Sequence, residues 1–140
     1  MDLETLFSIA SAVALAGWVM LVLAPLRRPW AVAGARIVAV VLCGGYLSLV
    51  AAGLAGDGMP AGSGFDTLAG VRLLLSTPAA LLAGWVHYLA FDLFVGSWQV
   101  EDAPAAGIPH WLVVPCLVLT FMAGPVGLFV YFIIRTLRNR

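Results

Sequence analysis

The chain has 140 residues, of which 63% are hydrophobic and 10% charged, and its formal net charge is zero. Soluble domains carry about 25% charged residues, so this composition excludes an ordinary soluble protein and points to the membrane class. With no basic excess there is no electrostatic footprint for nucleic acid, and none is expected as a partner.

The N-terminus, MDLETLF, places acidic residues before the first apolar run. Neither a cleavable signal nor a plastid transit peptide has that order, so the first helix is expected in the mature protein. A membrane-spanning helix needs about 20 apolar residues, and four segments meet that length. The first runs from Leu3 to Ala24 and stops at Pro25. The link PLRRPW follows, with Arg27 and Arg28 at headgroup level and Trp30 as an interface aromatic. The second runs from Val32 to Leu54 and ends in the turn-rich GDGMPAGSG. Residues 65–76, FDTLAGVRLLLS, are too short and too charged to span; they read as a surface helix or an extension of the next span. The third span opens at Thr77 as a cap with Pro78 at the first helical position, and runs to Ser97. The fourth runs from Trp111 to Ile134 and closes on Arg135, Arg138 and Arg140. The pattern predicts an all-α integral membrane four-helix bundle, a single domain over residues 1–140.

Four crossings put the first and third loops on one face, with both termini and the second loop on the other. Arg27, Arg28 and Arg36 then oppose Arg72, Arg135, Arg138 and Arg140. Three against four does not set an orientation by the positive-inside rule. Cys43 and Cys116 both lie in apolar segments at no metal or redox spacing, and read as buried structural thiols. Small residues along the first span, Ala10, Ala14 and Gly17, are suited to helix association and allow a homo-oligomer.

The stretch HYLAFDLFVG places His87 and Asp92 at bilayer depth. An ionisable residue there costs at least about 2.5–3.5 kcal/mol on insertion scales and marks a functional site by default. Measured from the first-and-third-loop face at about 1.5 Å per residue, His87 lies about 15 Å in, level with Tyr46 and Thr120. Asp92 lies about 7 Å in by the same measure, near Cys116. Arg36, Glu101, Asp102 and His110 approach from that face, so Asp92 is expected to face the interior and pair with Arg36 or His110. Glu101 and Asp102 read as solvated loop charges. Five helical residues separate His87 from Asp92 by about 140° of rotation, so one site needs a wide pocket or a bridge such as Tyr88. The spacing of His87, Asp92 and His110 fits no His-x-x-x-His or Glu-x-x-His pattern, and no metal is expected. Trp85, Tyr88, Phe91, Phe94 and Trp98 recur at helical spacing, as core packing or as lining for a flat hydrophobic ligand. In the fourth span Pro115 and Pro125 free the carbonyls of Trp111 and Phe121, which lipid cannot satisfy. Gly124 and Gly127 allow close helix contact beside a kink there.

The run HYLAFDLFVGSWQVEDAPAAGIPH followed by PCLVLTFMAGPVGLFVYFIIR resembles the abscisic-acid-deficiency-four-like family of membrane proteins. The resemblance covers residues 78–135, and its His-Tyr-x-x-x-Asp-Leu-Phe and Gly-Pro-x-Gly-Leu elements are fairly specific. It implies a four-helix membrane protein connected with carotenoid chemistry, since plant members are associated with neoxanthin synthesis. That conversion turns a 5,6-epoxide into an allenic alcohol, which needs an acid and a base but no redox cofactor. An intramembrane histidine and carboxylate suit such work. The leading expectation is a carotenoid isomerase of a bacterial inner membrane, with His87 and Asp92 as catalytic groups. Trp85, Tyr88, Phe91, Tyr46 and Thr120 would line its ligand site, with Arg36, His110 and Glu101 in support. A non-catalytic protein that binds carotenoid or another lipid, and a small proton or ion transporter subunit, are the alternatives.

Overall fold

The computed structural model describes residues 2–56 and 58–138; Arg140 lies outside them. The chain is all-helical: α1 Leu3–Val22, α2 Arg28–Ala55, α3 Leu68–Leu74, α4 Pro78–Asp102 and α5 His110–Arg138. Four of these, all but α3, are long and apolar enough to cross a membrane. Large apolar side chains such as Ile37, Leu47 and Phe129 cover the outside, as lipid contact requires. This is a multi-pass membrane protein.

Local chemistry sets the starts. Asp2 caps α1 by accepting from the Thr5 amide at 2.6 Å. Thr67 and Thr77 cap α3 and α4 in the same way, with Pro78 in the first turn of α4. The capped α3 is therefore a separate short helix and not an extension of α4. At the other end α4 continues to Asp102, five residues past the expected stop at Ser97. Nothing in Ser-Trp-Gln-Val-Glu-Asp breaks a helix, and Pro104 is the first residue that does.

The core is built around α4, which packs against α1, α2 and α5. Leu82, Val86, Leu89 and Leu93 form its buried face, meeting Trp18 and Leu21 of α1 and Ala35, Ala39 and Leu42 of α2. Ala14 and Gly17 are buried inside this core, and a Cβ on Gly17 would meet Leu93 at 2.6 Å. The small-residue stripe of α1 is thus used within the chain and not on its outside. Cys116 is buried as expected, but Cys43 faces outward, because the inner stripe of α2 runs through Ala39 and Leu42 instead.

The fourth apolar segment departs furthest from its expected course. Ala123 leaves the helical region, with φ −155° and ψ 58°. It divides α5 into two limbs, residues 110–122 and 124–138. They fold back on one another. Gly127 and Cys116 stand eleven residues apart, about 16 Å along a straight helix. Yet a Cβ on Gly127 would lie 2.5 Å from the Cys116 carbonyl oxygen and against Thr120. The returning limb runs parallel to α4. Its start packs on Asp92, and its end is tied to Asp102. There Arg135 donates to the Asp102 carboxylate at 2.7 and 3.2 Å, and the buried Tyr131 hydroxyl adds a bond of 2.8 Å. Asp102 is therefore an anchor for the second limb, not a solvated loop charge.

Two causes combine at the reversal. Pro125 cannot donate to Phe121, so the helix lacks a backbone bond across Ala123, where it departs from helical geometry. Gly124 and Gly127 then let the limbs and α4 approach where a side chain would collide.

Candidate functional site

Asp92 sits ten residues before the end of α4, about 15 Å along the helix and so near mid-depth. The longer α4 places it deeper than its expected 7 Å. Its half-buried carboxylate rests on Gly124, at the point where α5 turns back. One carboxylate oxygen, Oδ2, is buried without a well-formed hydrogen bond among the described residues, with the Tyr88 hydroxyl and the Gly124 backbone as its polar neighbours. One turn earlier, Tyr88 points the same way. Its hydroxyl donates at 3.2 Å to the carbonyl of Phe121, the one that Pro125 deprives of its helical donor.

A groove of about 650 Å³ leads to Tyr88 from the N-terminal end of the bundle, between α1 and the start of α4. It is lined by Phe7, Leu81, Trp85 and Tyr88, with Glu4 at its mouth. Trp85 stacks on Tyr88 at 5.4 Å and 24°, and lies tilted against Phe7 at 5.7 Å and 32°. The Trp85 indole N–H donates to the Ser11 hydroxyl at 3.2 Å. This groove exists because α5 turns back: its limbs cover only the other half of the α1–α4 face. The result is a flat aromatic wall that ends inside the bundle at Tyr88, one helical turn before Asp92.

The remaining expected residues disperse. His87 does not face the interior. It is exposed, its ring stacked on Phe91 at 4.6 Å and edge-on to Tyr46 at 5.5 Å. The rotation between His87 and Asp92 explains this, since α4 can turn only one of them toward α5. Phe91 and Tyr46 share this outer surface with His87 and do not line the groove. Arg36 pairs with Glu101, not with Asp92. Two guanidinium nitrogens meet its two carboxylate oxygens, at 3.1 and 2.5 Å, and the guanidinium lies 5.8 Å over Phe94. The extra turn and a half of α4 brings Glu101 within reach and leaves Asp92 too deep. His110 is likewise not beside Asp92. Its Nε2 lies 2.9 Å from the Val22 carbonyl oxygen at the end of α1, so it closes the bundle end instead. Thr120 is fully buried, bonded to the Cys116 carbonyl at 2.8 Å and to the Gln99 side chain at 3.1 Å, away from the groove. No group of three His, Cys, Asp or Glu side chains among the described residues is placed to hold a metal ion.

Sequence reasoning missed Gln99, Tyr131 and Arg135 as partners. Gln99 stands seven residues after Asp92, two helical turns on, which places both toward α5; that spacing was available as a signal. The Asp102–Arg135 pairing had none, because only the reversal brings the two together.

The family model described as ABA DEFICIENT 4-like matches residues 5–131. The chain belongs to the ABA DEFICIENT 4-like family. The match spans Phe7, Trp85, Tyr88, Asp92, the reversal and Tyr131, and leaves Leu3 and Glu4 at the groove mouth outside it. Searches of the curated proteins and of the solved structures return no match for this family member.

Proposed function

We propose that this protein is a cell-membrane isomerase acting on a carotenoid, with Asp92 as its proton-transfer group and the Trp85–Tyr88 groove as its ligand site. The observation that carries the reading is the half-buried Asp92 carboxylate at mid-depth, one helical turn from Tyr88 at the inner end of an aromatic groove. Family membership, together with the link of plant members to neoxanthin, supports a carotenoid as the substrate class. A single carboxylate is sufficient for an epoxide-to-allene isomerisation. It takes the proton from the polyene carbon next to the epoxide, and the C–H electron pair becomes the new C=C bond. The epoxide C–O bond breaks, and its oxygen takes that proton back from the Asp92 carboxyl to give the alcohol. Atoms and electrons balance with no redox partner. Tyr88 positions the ligand's end group and holds the α5 turn against Asp92.

The test is pigment analysis after expression in a host that makes epoxy-carotenoids. Wild type is expected to convert them, and Asp92→Asn at matched protein level to lose about 10²–10⁴-fold of that turnover. Full turnover by Asp92→Asn would remove the carboxylate from the mechanism. A second reading, a non-catalytic carotenoid-binding protein, draws on the groove being apolar between Glu4 and Tyr88 with Asp92 outside its lining. Unchanged but co-purifying pigment would select it.

A further inference from the structure

We propose that the chain crosses the membrane three times, with its arginine-rich end against the anionic headgroups of the cytoplasmic leaflet and its N-terminus on the opposite side. Two observations carry this. The limbs of α5 hold 13 and 15 residues, about 20 and 22 Å of helix, and neither spans a hydrocarbon core of about 30 Å. The segment therefore enters and leaves on one side, as a re-entrant hairpin whose turn rests on α4 at Gly124 and whose freed Phe121 carbonyl accepts from Tyr88.

The reversal also redistributes charge. With Arg135 bound to Asp102, the C-terminal end lies beside the loop joining α4 to α5. The bond from His110 to Val22 places the α1–α2 loop at that same end. Arg27, Arg28, Arg36, Arg135 and Arg138 therefore share one end, while among the described residues Arg72 alone stands at the other, in α3. Five arginines oppose one, where a straight fourth span divides them almost evenly. Glu101 and Asp102 each neutralise one arginine, which leaves three positive charges of five at this end. Among the described residues the opposite end carries Asp2, Glu4 and Asp66 against that one arginine. A positive excess in short loops sets the cytoplasmic side, and anionic headgroups there attract it. One consequence concerns the groove: it opens in the non-cytoplasmic half of the bilayer.

The native chain gives the first test, as C-terminal fusions in a bacterial host. A fluorescent protein that matures only in the cytoplasm is expected to be bright, and a phosphatase active only outside it to be silent. The opposite pattern overturns the proposal. Single cysteines in a Cys43→Ala, Cys116→Ala background, probed with membrane-impermeant maleimide, separate its two parts. Ala61→Cys is expected to label in intact cells, and Ala105→Cys and Leu137→Cys only after permeabilisation. Leu137→Cys labelling together with Ala61→Cys, while Ala105→Cys stays protected, would restore a fourth crossing. Ala105→Cys and Leu137→Cys labelling in intact cells would keep three crossings and reverse the orientation.

Discussion

The Tyr88 hydroxyl donates to the Phe121 carbonyl at 3.2 Å, bridging α4 and the last turn of the first α5 limb. That carbonyl has lost its helical donor to Pro125 and lies at a depth where water does not replace it. The bond therefore repairs the backbone at the place where the fold needs it broken. Tyr88→Phe is expected to leave the carbonyl unsatisfied and to destabilise the protein by about 1–3 kcal/mol. Thermal unfolding in detergent measures it, and an unchanged midpoint would mean that the reversal stands without Tyr88.

Gly127 is where the two limbs touch. A methyl group there meets the Thr120 backbone and the Cys116 carbonyl, neither of which is the end of a flexible side chain. Gly127→Ala is expected to destabilise by about 1–3 kcal/mol or more, the usual result of overpacking. Gly44→Ala on the outer face of α2 is the control, since nothing lies within 4 Å of its added carbon. It should be neutral, or stabilising by up to about 1 kcal/mol from helix propensity. Equal losses in both variants would contradict the close approach of the limbs.

His87 faces outward on an aromatic surface and does not touch Asp92. His87→Leu is therefore expected to keep both the fold and pigment turnover, in contrast to Asp92→Asn. The two variants are compared in the same host at matched protein level. A loss in His87→Leu as deep as that in Asp92→Asn would return the histidine to the chemistry.

Asp2 supplies a pH-dependent cap. The Thr5 amide hydrogen-bonds its carboxylate and holds its pKa below the ordinary aspartate range. The sign follows from linkage: a carboxyl depressed in the folded state stabilises α1 above its unfolded pKa, about 3.9. That contribution fades as pH falls from there through the lower folded value. Hydrogen exchange at the Thr5 amide should accelerate, relative to Asp2→Ala, only below about pH 4. A constant difference down to pH 2 would show that the carboxylate form does not matter.

Much of this architecture is legible in the sequence, because its causes are local. Apolar runs of span length and the Thr77–Pro78 start depend only on neighbouring residues. The end of α4 was hidden by polarity: Gln99, Glu101 and Asp102 look like loop, yet each finds a partner on another helix. The reversal is less legible still. A proline inside an apolar run ordinarily signals a kink, and here the second limb folds back because Tyr131 and Arg135 find Asp102. At the site, the 140° between His87 and Asp92 already implies that only one of them faces inward. Which one depends on the position of α5, a tertiary fact.

The doubled-back helix also gives the molecule unequal cross-sections. Half of its depth contains five helical rods, α1, α2, α4 and the two α5 limbs, while the other half, short of the seven-residue α3 at its end, contains three. A rod with its side chains is about 10–12 Å across, so the footprints differ by about 150–230 Å². A solid of that shape is a wedge. In a flat bilayer the narrower half leaves space that acyl chains fill by splaying, whereas a curved sheet fits the taper with less strain. Filling the α1–α4 groove with a rigid ligand would widen the narrow half, so occupancy and local curvature are coupled through shape alone.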